Sequence, residues 1–542
     1  MNSQTRYETQ RIDHLGIVAG ICNEIGLIEE IDQQVGTSEQ KVSCGQGVQA
    51  MVLNALGFTS RALYLMPDYL QNKPVDLLID SELKAEDFND DSLGRSLEML
   101  FRKGVTEVFA KVAARALRVY RIEHRFVHLD SSSFHLHGAY EIDEPDKEAI
   151  TITEGYSRDH RPDLKQVVVQ LITSQRSALP IWLEVLSGNS SDKESFALSV
   201  EAYCQQLGEN EQPYFVMDSA GYAADNLKTL KKMRWLMRVP ETLAEAKRLV
   251  RETEKTTMLE LTAGYWGKEV EVTYGEAPQR WLVVFSQAAY ERELHTLNRN
   301  QEKEHQTIEK QWHKLTLQTF NCQEDAQTAA KQFNLRWKFH QASAEVVPIT
   351  QYARRGRPAT EDQPEVVGYG LKGNITLDLA LFETAKQNLG KFIIATNEID
   401  PNRLSAAQIL ANYTDQGVSV ERGFRFLKDP LFFAHSLFLK KPERIMALMM
   451  IMGLALLIYA LAERQLRLVL AKRNDTIPDQ KGRPTQTPTI RWVFQIFEGI
   501  DILSIWVNGQ QTARQVLNLR PVHQQIIELF GPHVRHCYLF SP

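Results

Sequence analysis

At 542 residues, with 43% hydrophobic and 24% charged side chains, the chain has room for about three domains and the composition of a globular protein. A net charge of −6 excludes a field that is basic overall, so contacts with nucleic acid have to come from local clusters. The five cysteines (Cys22, Cys44, Cys204, Cys322, Cys537) show no C-x-x-C spacing, which argues for a reducing cytoplasm and against structural zinc.

The polar start, Met1-Asn2-Ser3-Gln4-Thr5-Arg6, carries no secretory signal. Residues 1–118 read as a helical domain. Val48, Met51, Val52 and Ala55 recur at helical spacing, and an acidic stretch at 85–92 precedes a second apolar-periodic helix through Leu93, Leu97, Leu100 and Phe101. Such a domain serves DNA-end binding, dimerisation or scaffolding, and the sequence does not choose among them.

From Arg125 the pattern turns to strands. Phe126-Val127-His128-Leu129-Asp130 and Tyr214-Phe215-Val216-Met217-Asp218 are short apolar runs, each ending on an aspartate, as strands buried on both faces do. Between them lie a predicted hairpin (167–172 and 181–186) and a helix opened by the capping signature Ser191-Asp192-Lys193-Glu194. A helix over 223–233 and a strand over 235–240 follow. Strand, hairpin, helix, strand, helix, strand is the α/β class, over residues 119–240. Two carboxylates at neighbouring strand ends repel unless protonated or bridged by a cation, and hard oxygen ligands suit Mg²⁺ or Mn²⁺. Taken singly, each is equally an ordinary strand-end Asp.

Residues 241–390 read as an inserted subdomain with short strands (269–273, 281–285), a charged helix (288–315) and the basic loop Arg354-Arg355-Gly356-Arg357-Pro358. Residues 391–470 return to the core with a strand at 392–396 and the capping signature Ser405-Ala406-Ala407-Gln408. The helix that follows ends near Lys428, because Pro430 disfavours helical geometry at Asp429. On it Glu421, Arg425 and Lys428 fall within about 60° of one another, beside an apolar face of Phe424 and Leu427. An amphipathic helix with ordinary i, i+4 ion pairing has the same pattern. Residues 445–462 are uncharged over 18 positions, the lower limit for a membrane span. Basic residues flank both ends, so no orientation signal appears, and the expectation is a buried helix and no membrane. Residues 471–542 form a C-terminal region.

Strand-end Asp130 and Asp218, then helical Glu421, are separated by 88 and 203 residues, with a large insertion before the last acid. This set resembles the DDE transposases of bacterial insertion sequences, in the branch with a Tyr…Glu…Lys signature helix and an insertion before the catalytic Glu. The matching positions are Tyr413, Glu421 and Lys428, with supporting stretches at 155–166, 188–192 and Arg238-Val239-Pro240-Glu241. Gln416 stands where that signature has an arginine, and Tyr413 lies one residue further from the Glu than the signature places it. The resemblance implies an RNase H-like mixed sheet flanked by helices, with an inserted α+β subdomain and a helical N-terminal domain. It further implies that Asp130, Asp218 and Glu421 hold two Mg²⁺ (or Mn²⁺) ions for DNA cleavage and strand transfer. Tyr413, Arg422, Arg425, Lys428 and Arg238 would face DNA. The implied partners are terminal inverted repeats, target DNA and a second copy of the chain in a synaptic complex, in a bacterial cytoplasm and at the nucleoid when active.

Local charge agrees with phosphate contact: residues 403–491 hold 14 Lys+Arg against 7 Asp+Glu. Two Gly-Arg-Pro turns (356–358 and 482–484) suit arginine entry into a narrow minor groove, and are equally common exposed turns. Arg354, Arg355 and Arg357 are the candidates in the first. Trp266, Trp281, Trp312 and Trp337 either fill core or offer a stacking surface to an extruded base. His135 and His137 lack further zinc-spaced partners. The competing readings are a metal-dependent nuclease on the same core without strand transfer, and a non-catalytic DNA-binding protein.

Overall fold

The computed structural model describes the chain except residues 1–4, 37–39, 60, 139, 141–145, 147, 158, 176–177, 208–211, 353–362, 430–438 and 540–542, and the side chains of 192–194 and 416–420. Its first element departs from the sequence pattern. Thr5–Arg11 is a strand (β1), paired antiparallel with Asp501–Val507, which in turn pairs with Gln510–Leu517. The strand is mostly polar and exposed, so nothing local announces it; its partner lies at the far end of the chain.

The central sheet is built as the apolar runs require. Its strands are β2 (Phe126–Leu136), β3 (Lys165–Ser174), β4 (Pro180–Ser187), β5 (Tyr214–Met217), β6 (Arg234–Arg238), β7 (Leu259–Thr262), β8 (Tyr265–Tyr274), β9 (Ala277–Ser286) and a return strand, Lys391–Thr396. They lie in the order β4-β3-β2-β5-β6-return-β9-β8-β7. Within the first five, only β3 runs against the others: β2 pairs antiparallel with β3 and β3 with β4, while β2, β5 and β6 are mutually parallel. This is the RNase H-like arrangement, a mixed sheet of the α/β class.

The stretch read as an insertion contributes to this sheet. β9 pairs with the return strand on one side and with β8 on the other, which explains its near-continuous burial. The helices Gln287–Thr316 and Gln323–Asn334 and two antiparallel strand pairs enclose a small core of their own, around Ile308, Trp312, Phe333 and Leu371. Ser191 makes no side-chain capping bond, unlike Ser405, whose reciprocal pair with Gln408 is formed at 3.3 and 3.0 Å.

The apolar run becomes the helix Pro442–Arg473, the central helix. It is long and apolar enough to cross a membrane, but 83% of its most apolar stretch is buried inside the protein. It packs on the helices Cys44–Leu56, Asp90–Lys103 and Val105–Val119 and on β4, and shares one core with the C-terminal helix Pro521–Phe530. A side chain at Gly453 would meet Leu183 of β4 at 2.2 Å, so the closeness of helix to sheet requires the glycine.

Candidate active site

The register between β2 and β5 places the first two acids. Phe126 pairs with Tyr214, Val127 with Phe215 and His128 with Val216, a constant offset of 88 residues. Asp218 follows Asp130 by the same 88, so this register, carried two residues on, sets the two aspartates side by side on adjacent parallel strands. Alternation puts them on the face that holds Phe126 and Tyr214, whose rings stack at 5.1 Å. Both aspartates are half-buried. Asp130 accepts the Ser131 N–H at 2.8 Å; Asp218 caps the turn Ser219–Gly221 by accepting the Ala220 N–H at 2.8 Å.

The helix Ala406–Leu427, the Glu helix, covers this face and buries Ile409 and Leu410 with Phe126, Tyr214 and Val216. His128 lies 3.9 Å from Asp415 of the helix, and the Lys428 ammonium sits 5.5 Å from the centre of the Phe134 ring. The helix therefore runs in the direction of β2. From His128 to Phe134 the strand rises roughly 20 Å, and from Asp415 to Lys428 the helix rises about the same. Interpolation along these anchors puts Glu421 roughly level with Asp130 and Ser131. Glu421 itself is exposed, and among the described residues no three His, Cys, Asp or Glu side chains are gathered closely enough to hold a metal ion. The register thus brings two carboxylates, the ligand type that suits a hard divalent ion, to neighbouring strands, while the third acid is exposed.

Cations and the tyrosine sort into two groups around that pair. Arg238, at the end of β6, bonds Glu241 at 2.7 Å and covers the Phe392 ring at 5.5 Å. Burial raises the Tyr413 pKa, as does Asp218, while Arg238 beside it works the other way. Burial works against the charge of Arg238, but Tyr413 and Glu241 outweigh it and raise its pKa. Tyr413 and Arg238 thus flank Asp218. At the other end Lys428 is held by both oxygens of Asp159, at 2.8 and 3.0 Å, with His135 3.6 Å from the same carboxylate. Arg422 turns away to Glu463 of the central helix, and Arg425 is exposed. Arg354, Arg355 and Arg357 lie outside the described residues.

Asp159 and Glu463 do not stand out in the sequence as members of the site. Asp159 has one signal, its place in the 155–166 stretch; Glu463 has none, because its partners come from other segments. Of the tryptophans, Trp281 and Trp312 are buried, and the Trp312 N–H donates to the Gly373 carbonyl at 3.0 Å. Lys255 sits 3.6 Å from the centre of the Trp266 ring.

An RNase H-like sheet with one carboxylate inside its first strand (Asp130, where the sequence pattern puts a strand end, although β2 runs on to Leu136) and another just past its fourth (Asp218) defines the class of this protein. The chain matches the family model of the transposase DDE domain over residues 121–458, more than half its length, and belongs to that family. Residues 7–114 match a domain of unknown function (DUF4277). No curated protein matches the chain. Among solved structures it is similar to a piggyBac transposase in a cryo-EM synaptic complex with hairpin DNA, at 9% identity and a TM-score of 0.37, over 91% of this chain and 82% of that one. A likeness at that level adds nothing to the reading of the site.

Proposed function

We propose that the chain cuts DNA at the ends of an insertion sequence and joins them to target DNA, with Asp130, Asp218 and Glu421 holding two Mg²⁺ (or Mn²⁺) ions. The observation that supports this is the shared 88-residue register, which, carried two residues on, would bring Asp130 beside Asp218 on the face covered by the helix of Glu421. Divalent ions bound there would activate the attacking hydroxyl and stabilise the leaving oxygen. Glu421 closes onto the aspartate pair when the ions and DNA are present. Tyr413 and Arg238 orient the strand beside Asp218. Lys428, once released from Asp159, meets the phosphate near the cut together with Arg425, where a cation offsets developing negative charge.

In the reaction proposed, water attacks the phosphodiester at the element end and frees a 3′-OH. That hydroxyl then attacks a target phosphodiester, forming one new P–O bond and releasing one 3′-OH of the target. The working assembly is a dimer on paired terminal repeats, acting at the nucleoid. The test is Mg²⁺-dependent nicking of an end-labelled duplex carrying the element's terminal repeat. Asp218→Asn and Glu421→Gln each lose at least about 10³-fold in rate, on the order expected when charge stabilisation at a transition state is removed. Nicking at the wild-type rate by either variant rules the assignment out.

A further inference from the structure

A groove with a different chemistry runs along another side of the Glu helix. Between that helix and the central helix lies a cavity of about 770 Å³ whose lining includes Arg422, Arg425, Arg464, Arg467 and Arg491. At the start of the Glu helix a second cavity, of about 680 Å³, is lined by Arg121, Arg125 and again Arg464. The shared Arg464 joins them. Along the Glu helix and just past its end the lining residues include Ala407, Ala411, Asp415, Arg422, Phe426 and Asp429, spaced by threes, fours and sevens, which puts them on one side of the helix. They span roughly 33 Å and lie nearly opposite the stripe of Tyr413, Phe424 and Leu427 that faces the sheet.

Charge and shape narrow the ligand. Seven arginines face the groove against Glu123, Asp415, Asp429 and Glu463, a cationic excess in a chain of net charge −6. Glu463 is buried; it takes Arg422 and Arg467 and accepts the Ile490 N–H at 3.1 Å, so it fixes the guanidinium groups in place. Their outer edges stay reachable, with the Arg422 side chain 42% exposed and that of Arg467 31%. Burial lowers the pKa of Arg464 and Arg467, the cost of desolvating cations that a bound anion would offset. Leu456, Ala460 and the Phe426–Tyr459 ring pair, 4.2 Å apart, add an apolar wall. A cationic track with aromatic surface is the recipe for an unpaired strand, whose phosphates follow the charges while its bases stack. A space between packed helices, whose axes typically lie about 8–10 Å apart, has no room for a duplex.

We infer that this groove binds a single strand of DNA, over a length of several nucleotides. The inference rests on the reading of the chain as a DNA-acting enzyme, since strand separation near the cut supplies the ligand. The probe is a fluorescein-labelled 15-mer of dT, titrated by anisotropy in EDTA, where the acidic residues and their ions play no part. Arg464→Gln, and separately the exposed pair Arg121→Gln/Arg125→Gln, weaken binding about tenfold. Each also flattens the plot of log affinity against log salt by about 0.7 for every phosphate that is no longer neutralised. An unchanged affinity and slope in the exposed pair overturns the inference, even if Arg464→Gln fails to fold. So does binding confined to a random 30-base-pair duplex. Loss of cleavage activity leaves these results untouched, so this inference and the active-site reading fail separately.

Discussion

Asp159 holds Lys428, which in the proposed reaction meets a phosphate, and Asp159→Asn should therefore tighten DNA binding. In the DNA-free protein both Asp159 oxygens accept from Lys428, at 2.8 and 3.0 Å. The pair is partly exposed, 24% for Lys428 and 35% for Asp159, so solvent screening limits its strength to about 0.5–1 kcal/mol. Before Lys428 can reach a phosphate that energy has to be given up; removing the charge of Asp159 returns it as affinity, a gain of roughly two- to fivefold. The assay is anisotropy with a labelled terminal-repeat duplex in EDTA, on wild type, Asp159→Asn, Lys428→Ala and the double variant. The gain should vanish in the Lys428→Ala background, because the effect passes through that one interaction. Equal or weaker binding by Asp159→Asn, or a gain that survives removal of the Lys428 side chain, refutes the reasoning.

Acid should weaken the fold through two buried histidines. Burial pushes His14 and His128 down to about 4, while the unfolded chain titrates near 6.5. The unfolded state thus takes up protons first, so their stabilisation is complete above pH 6.5 and is lost as pH falls toward 4, by about 2 kcal/mol each at pH 5. Thermal melts at pH 7 and pH 5 should differ by several degrees, and His14→Gln/His128→Gln should flatten the difference; a flat wild-type profile contradicts this. Gly453→Ala places a carbon 2.2 Å from Leu183 and 3.1 Å from Phe109, overpacking worth about 1–3 kcal/mol that a lowered Tm reports. Glu463→Gln removes the counter-charge of Arg422 and Arg467, whose side chains are partly exposed and screened by solvent, and should cost about 1 kcal/mol in the same melt.

What the sequence made legible follows from locality. Tyr214–Met217 and residues 392–395 are apolar in unbroken runs, so their burial in a central sheet can be read from composition alone. The central helix was legible as core because its flanks are basic at both ends. β1 was not, since its polar sequence becomes a strand only through pairing with Asp501–Val507. β8 and β9 were legible as strands but not as members of the main sheet, because which edge they join depends on the return strand more than a hundred residues later; the short, exposed β7 was not legible at all. The same holds at the site. That Asp218 follows an apolar strand is local; that β2 runs on past Asp130 to Leu136, and that the two strands are neighbours in register, is not. The grip of Asp159 on Lys428 spans 269 residues, and the groove draws its arginines from four separate segments, which no count over one stretch of sequence brings together.

The central claim, that three acids distant in sequence share one ion site, is tested most directly by replacing Mg²⁺ with Fe²⁺ on terminal-repeat DNA and mapping hydroxyl-radical cuts in the polypeptide. The account predicts cuts clustered near residues 130, 218 and 421, all lost in Asp218→Asn. Cuts near only one of these positions, or at a site elsewhere in the chain, would contradict it.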